Sequence, residues 1–539
     1  MPGWSEFVQE HKNRALFWHS LWKSCNCPPN GTLADIRRRT RAQYHLAIRR
    51  VKLNKDACSA NKMADSLRSK NTSEFWAEVR KMRGGKRRIP EFVDDSHGSD
   101  NISKLFLSKY DELYNSVSYD HDQMNSLKSE INSRIEDYCN GNTHCGADHI
   151  INVSQVLENI VFMKGNKHDG NVGHYSDHVI QGTRKLHVYL SLLFTTILSH
   201  GFPPQGMCIS TLVPIPKNQR KSLHNSNNYR AIALSSILGK LIDRIILSKY
   251  QNQFVTSDYQ YGFKKGHSTV HCTFVVNEII QYYNNNNSDV YSVLLDASRA
   301  FDRVNYLKMF KLLLKRNLCP CICKFLINLY TSQTIRVKWG DVITTQVLAS
   351  NGVTQGGVLS PILFIVYMDE LLVALSNSGV GCHIGNTFCG SFGYADDVII
   401  LCPTIHSIRK MLSICEEFAY QFDVSFNSDK SKLLVFTKRR CVSHNNPPLQ
   451  LQFMNGYIME SQNEKHLGNI IGHQCKQTVI DSGVNEFYIK VNQVLSLFSN
   501  ASPQVRYKLF QTHCMSLYGS QLWDYEHKNT NKCCIAWRK

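Results

Sequence analysis

The tetrad Tyr394-Ala395-Asp396-Asp397 constrains this chain more than any other stretch of it. Its two adjacent carboxylates lie between Phe392 and the apolar run Val398-Ile399-Ile400-Leu401. A third acid, Asp296, closes another apolar run, Val290-Tyr291-Ser292-Val293-Leu294-Leu295, well upstream. Strands that end in bare carboxylates are poor structural choices unless positive charge sits between them. Two like charges at about 4 Å repel by about 1 kcal/mol in water and by about 4 kcal/mol at an effective dielectric of about 20. A hard divalent cation held by oxygen ligands removes that repulsion. Paired metal ions of this kind serve phosphoryl transfer by nucleotide polymerases. An aromatic-x-Asp-Asp tip is weak evidence alone, arising by chance in on the order of one chain in ten. An acidic hairpin turn is its plain alternative.

With 539 residues, 42% of them hydrophobic, the chain is long enough for two to four domains with a full core. Lys plus Arg number 62 against 43 Asp plus Glu, a net +19. Such an excess speaks of partners, and a phosphate backbone is the commonest one; an ordinary basic soluble protein fits the charge equally well. The cysteine clusters Cys25/Cys27, Cys319/Cys321/Cys323 and Cys533/Cys534 lack a second half at zinc-finger spacing. They read as free thiols of a reducing compartment. The opening residues have no apolar signal core. The longest apolar stretch, Leu186 to Leu198, is too short to cross a bilayer and contains His187. It reads as a buried helix ended by Gly201 and Pro203. An intracellular, soluble protein without a membrane partner is expected.

Residues 1 to about 100 are polar and basic. Arg37-Arg38-Arg39-Thr40-Arg41 leads to Arg49-Arg50-Val51-Lys52, and Arg80-Lys81-Met82-Arg83 to Lys86-Arg87-Arg88. Both clusters read as helices with one charged face, either solvated or in contact with nucleic acid. Phe75 and Trp76 are expected to anchor the second by burial. Further on, Ser154 can cap a short helix reaching Met163, and Thr211 to Lys217 is strand-like. Asn284 to Asn287 reads as a surface loop. Ser360-Pro361 reads as an N-cap with proline at N1 of a helix. Ile408, Met411, Leu412, Cys415 and Phe418 mark another helix. The stripe Phe487, Val491, Val494, Leu495, Phe498 marks a third, and Ser502-Pro503 opens a fourth. Strands interrupted by packing helices without strict alternation indicate an α+β fold.

The segment Phe392 to Leu401 predicts a hairpin with the Asp pair at its tip, and its companions carry the weight. They are Thr211–Lys217, Asn228-Tyr229-Arg230-Ala231-Ile232-Ala233-Leu234, Tyr259-Gln260-Tyr261-Gly262-Phe263 through Thr269, and the Asp296 block with Ala300-Phe301-Asp302. Gly352-Val353-Thr354-Gln355-Gly356-Gly357 through Pro361, the tetrad itself, and Lys465-His466-Leu467-Gly468 follow in order. This series resembles the reverse transcriptase of non-LTR (LINE-type) retrotransposons. The resemblance implies a right-hand polymerase: fingers near 150–285, a palm with an antiparallel sheet to about 440, then a helical thumb. The expected segments are a basic, mostly helical N-terminal extension over 1–149, a reverse transcriptase domain over 150–472 and a truncated thumb-like region over 473–539.

The same resemblance implies that Asp296 and Asp396 hold two catalytic Mg²⁺ ions, or Mn²⁺ in their place, with Asp397 beside them and the Ala297 carbonyl as a backbone ligand. Phe301 would be the gate under the incoming sugar, selecting deoxynucleotides; from the residues alone it is equally a core phenylalanine. Gln355 and Gly356 would touch the incoming nucleotide, although a plain turn before a helix needs no ligand. Lys217 and Arg230 would grip the triphosphate, and Lys430 would lie near the leaving phosphates. Partners implied are an RNA template, a DNA primer and dNTPs, with nicked chromosomal DNA as the primer and the nucleus as the place. Ala231 stands where the family usually has proline, Thr354 where proline or arginine often precedes Gln-Gly, and Asn166-Lys167 where Gly-Lys is usual. None of these is an expected metal ligand. Such elements usually encode an endonuclease ahead of the polymerase, so a truncated copy or partial reading frame is expected. Two rivals remain: RNA-directed RNA synthesis, disfavoured by Ala395 and Phe301, and a decayed copy that only binds nucleic acid.

Overall fold

Val290–Asp296 reads as a nearly continuous apolar run because both of its faces are covered. Val293 and Leu295 pack with the helices Ser360–Ser376 and Ile405–Phe422. Val290 and Leu294 pack instead with Cys272, Val276, Ile279 and Ile280 of the helix Thr269–Asn285. The period of two along a strand thus divides one run between two layers of helices. The computed structural model describes residues 4–69, 71–82, 90–141, 149–170, 173–218, 221–437, 448–472, 476–515 and 519–523. Arg83 to Arg88, Cys533, Cys534 and Trp537 to Lys539 therefore lie outside the described residues.

The strands that build the site are β1 (Ile209–Pro216), β2 (Tyr229–Leu234), β3 (Val290–Asp296), β4 (Thr334–Trp339), β5 (Ser391–Tyr394), β6 (Asp397–Cys402), β7 (Lys432–Phe436), β8 (Gln450–Phe453) and β9 (Gly456–Glu460). A central sheet runs in the order β5-β6-β3-β7-β9-β8. Its pairs are antiparallel except β7 with β9, which are parallel. A second sheet pairs β1 antiparallel with β2 and parallel with β4. The fold is α+β, as the irregular alternation of elements indicated. Lys465-His466-Leu467-Gly468 forms a separate hairpin whose two turn residues, Leu467 and Gly468, are left-handed.

Several local expectations shift by a residue or a turn. The helix after residue 150 spans Val153–Ile160, and the backbone N–H of Asn152, not Ser154, begins it by donating to Gln155 Oε1. Ser360 is the first residue of its helix, with Leu359 ahead of it. Asn284 and Asn285 are still helical, since the amides of Asn286 and Asn287 close the last turn on Tyr282 and Asn284. The helix Arg184–His200 ends as expected, with Gly201 left-handed at φ 72° and its N–H on the Ile197 carbonyl. No helix among the described residues is long and apolar enough to cross a membrane.

Packing divides the chain into two units, residues 89–475 and residues 1–88 with 476–539. In the first, the helix Ser99–Tyr114 lays Ile102, Phe106, Tyr110 and Leu113 against Leu212, Tyr229, Ala231, Ile335, Val337 and Trp339 of the second sheet. Residues 90–149, counted with the N-terminal extension in the sequence reading, thus begin inside this unit. In the other unit, Met63, Phe75 and Val79 share a core with Phe487, Val494, Phe498 and Val505 from the far end of the chain. Phe75 is buried and Trp76 packs edge-on against it. The first basic cluster lies on the helix Thr32–Leu53, which buries Ala34, Thr40, Ala47 and Val51. Arg38, Arg39, Arg41, Arg49 and Arg50 are exposed there, while Arg37 stacks 3.9 Å over Trp22.

Candidate active site

The turn between β5 and β6 is two residues long, because Tyr394 pairs directly with Asp397. Ala395 is left-handed there (φ 61°), a conformation that normally calls for glycine. The Gln260 side chain holds it. The Ala395 N–H donates to Gln260 Oε1 at 3.1 Å, and the Gly262 N–H donates to the same oxygen at 2.8 Å. Gly393 N–H donates to the Tyr259 carbonyl, and Tyr261 N–H to the Gly393 carbonyl, so Gln260 makes a single parallel bridge to Gly393 of β5. A Cβ on Gly262 would meet the Ala395 nitrogen at 2.4 Å, so only glycine fits. Gln260 is fully buried.

Antiparallel register then brings the third acid in. Asp397 lies opposite Asp296, at the matching ends of β6 and β3. Behind Asp296 the chain is pinned: its N–H donates to Ser431 Oγ, and its carbonyl accepts from Asn427 N–H. Burial raises the carboxyl of Asp396 above the ordinary range, Asp296 adds to this, and Arg230 opposes it. Asp397 is pushed up to about 6 by burial, then by the charges of Asp396 and Asp296. Lys430 Nζ stands 3.7 Å from Asp296 Oδ2, with both side chains well exposed.

Asp296, Ala297 and Asp396 line a cleft of about 960 Å³ together with Phe301, Gln355, Gly356, Lys217, Arg230 and Lys430. Asp397 is beside the cleft and is not among its lining residues. The β1–β2 hairpin carries the two cations: Ile215 pairs with Arg230, and Lys217 follows the last residue of β1. Lys217 is held by a bond from Nζ to the Asn227 carbonyl at 3.0 Å. Its ammonium is lowered from the usual range by burial, then by Arg230, Lys430 and Arg299. Lys109 is lowered too, by burial first, with Arg299 and Lys217 contributing. Lys109 and Arg299 also line the cleft, and the sequence reading passed over both. Only contact across the second sheet could have found Lys109, since nothing in its own helix marks it.

Phe301 has both a core contact and a place in the cleft lining. Its ring stacks on Phe364 at 4.0 Å and meets Phe263 edge-on at 6.2 Å, yet it lines the cleft. Gly356 (φ 120°) makes its close approach to protein backbone: a Cβ would lie 2.6 Å from the Ala233 carbonyl oxygen. The Gln355 carbonyl accepts from Ala233 N–H, which fastens this turn to β2. Asp302, next to the expected gate, is buried and accepts from the Tyr114 hydroxyl at 3.0 Å. Burial pushes its carboxyl up to about 6 against the opposing pull of that bond, Arg299 and Lys217.

Residues 215–474 match the family described as reverse transcriptase (RNA-dependent DNA polymerase). The chain is 28% identical over 307 residues to the probable RNA-directed DNA polymerase from transposon X-element of Drosophila melanogaster, covering 53% of this chain and 32% of that protein. It is 26% identical over 302 residues to the RNA-directed DNA polymerase from mobile element jockey of Drosophila funebris, covering 53% and 31%. A third relative is the retrovirus-related Pol polyprotein from type-2 retrotransposable element R2DM of Drosophila melanogaster, 23% identical over 238 residues, covering 44% and 22%. The matched part of the chain thus spans a third or less of each of these relatives.

Proposed function

Residues 215–474 belong to the reverse transcriptase family, and from that premise we propose that this chain is an RNA-directed DNA polymerase of a non-LTR retrotransposon. It adds deoxynucleotides to a primer 3′-hydroxyl on an RNA template. The observation that carries this reading is the register that sets Asp296 opposite Asp397, with Asp396 at the adjoining turn, beside a cation-lined cleft. Oxygen-only donors, with Asp396 and Asp397 disfavoured in their ionised forms by burial and neighbouring charge, fit a hard divalent cation.

Asp296 and Asp396 hold two such ions in this reading, Mg²⁺ or Mn²⁺, with Asp397 and the Ala297 carbonyl adjacent. Bound there, the ions would supply a more acidic primer hydroxyl and a counter-charge for the leaving pyrophosphate. The protein's own part is positioning. Lys217 and Arg230 take the triphosphate, Lys430 the departing phosphates, and the ring of Phe301 fills the space a 2′-hydroxyl would need. Gln355 and Gly356 meet the incoming base pair from the turn fastened to β2. The central sheet is then the palm, the β1–β2 hairpin part of the fingers, and the helices Lys476–Leu497 and Pro503–Leu509 thumb-like. The exposed arginines of Thr32–Leu53 hold nucleic acid, as suits a chain that copies RNA at nicked chromosomal DNA in the nucleus.

Primer extension decides between readings. DNA synthesis from dNTPs on an RNA template with Mg²⁺, lost in Asp396→Asn with the circular dichroism spectrum unchanged, supports the proposal. Preference for rNTPs would indicate RNA-directed RNA synthesis, and binding without extension a nucleic-acid binder.

A further inference from the structure

Away from the acids, a second set of metal-ligating groups converges. One ligand atom each from His149, Cys319 and Cys321 lies within 4.8 Å of the others. The two cysteines come from a single corner: Cys319 precedes the helix Pro320–Thr331 and Cys321 is its second residue. Pro320 at the first helical position fixes the backbone between them. His149 arrives from 170 positions earlier in the chain, just ahead of the helix Val153–Ile160.

The edge between Cys319 and His149 has the length a tetrahedral ion sets. Cys319 Sγ and His149 Nε2 are 3.5 Å apart. With metal–sulfur and metal–nitrogen bonds of about 2.3 and about 2.05 Å, a tetrahedral angle sets that edge at about 3.6 Å. The other ring nitrogen, Nδ1, faces the Tyr250 hydroxyl at 3.5 Å. An outer hydrogen-bond partner of this sort orients a ligating imidazole and fixes its tautomer. His149 and Cys321 are buried, at 3% and 5% exposure, while Cys319 is half-buried and leaves one side approachable. Without an ion the three are joined by hydrogen bonds, Cys319 with His149 and Cys319 with Cys321. Two sulfurs and one imidazole nitrogen suit neither magnesium nor calcium, which take oxygen; they suit zinc.

We propose that His149, Cys319 and Cys321 form a zinc site, with three protein ligands and the fourth position filled by water or another donor. The site joins the segment entering Val153–Ile160 to the start of Pro320–Thr331. Because the unfolded chain holds no such cluster, zinc affinity adds directly to the stability of this region. The sequence conceals the site, since Cys-x-Cys has no second pair nearby and the histidine is remote.

The test uses the full chain, reduced and freed of metal by a chelator. Reloaded with zinc, wild type should hold one zinc per chain more than the double variant Cys319→Ser/Cys321→Ser, with Cys323→Ser matching wild type. On wild type alone, zinc should slow alkylation of Cys319 and Cys321 by about tenfold or more, leaving exposed Cys25 unchanged. Cobalt(II) should give a thiolate charge-transfer band that the double variant lacks. Equal zinc content in wild type and double variant would overturn the proposal. So would alkylation of Cys319 and Cys321 indifferent to zinc, a measurement that stands even if the variant does not fold.

Discussion

Asp397 resists ionising, and its position explains why. It is largely buried, next to Asp396 in the chain and opposite Asp296 in the sheet, and its carboxyl is pushed up to about 6. An unperturbed aspartate titrates near about 3.9. Between those values the folded state holds the proton more tightly than the unfolded one. Without divalent ions, the stability due to this group therefore falls as pH rises from about 4 to about 6, and the loss is complete above that. A bound cation needs the ionised form, so the Mg²⁺-induced rise in melting temperature should grow from about pH 5 to about pH 7. Thermal melts with and without Mg²⁺ across that range check this; a shift independent of pH would count against a cation among the three acids. Asp396→Asn should lower dNTP incorporation by about 10²- to 10³-fold or more, the order lost when one pre-placed electrostatic group is removed. Phe301→Ala should reduce discrimination against rNTPs by about 10- to 200-fold, read as the ratio of kcat/KM values. If Phe301 is only a partner for Phe364, the variant should lose stability with that ratio unchanged. The acids were legible in the sequence because carboxylates at strand ends are chemically costly. The choice between gate and core for Phe301 was not, because stacking on Phe364 and lining the cleft put the same residue in the same place.

At the level of elements, the hairpin was readable and its support was not. The apolar run and the Asp pair mark β5 and β6, but the left-handed Ala395 depends on Gln260, a residue 135 positions away. Its role is invisible in sequence because Gln260 Oε1 accepts from backbone N–H groups, which carry no side-chain signature. Similarly, Cys319 and Cys321 are free thiols as their spacing indicated, but their neighbour His149 comes from another segment. Two substitutions test the brace. Gly262→Ala places a methyl 2.4 Å from the Ala395 nitrogen, where backbone must move. Overpacking of this kind costs about 1–3 kcal/mol. Gln260→Ala leaves the Gly262 and Ala395 amides without their acceptor, at about 1–3 kcal/mol for each buried group. Both should cut kcat for dNTP addition well beyond any change in KM for the template, since the acids would move while the cleft's cations stay. Unchanged kcat in a stably folded Gln260→Ala would show that the hairpin stands without this support.

On the scale of the whole molecule, sequence order and packing order part company. Stripes such as Phe487, Val494 and Phe498 identify helices with an apolar face, but a stripe does not name what covers it. Here the cover comes from Met63, Phe75 and Val79, some four hundred residues earlier, so residues 1–88 and 476–539 build one core. Residues 89–475 have cores of their own, and the helix Ser99–Tyr114 completes one of them over the second sheet. The consequence can be read from fragments. A chain of residues 89–475 should melt cooperatively and keep its Mg²⁺-dependent stabilisation, because every residue of the acid cleft lies within it. A chain of residues 1–475 should fare worse although it is longer. It retains Met63, Phe75 and Val79 while losing the side chains that bury them, and each such residue forfeits about 1.5–3 kcal/mol when left in water. The longer fragment should bind a hydrophobic dye and aggregate, and adding the separate segment 476–539 should reverse both. If instead 1–475 is monomeric and dye-silent while 89–475 fails to fold, the two ends of the chain do not share a core and residues 1–88 are needed by the cleft itself.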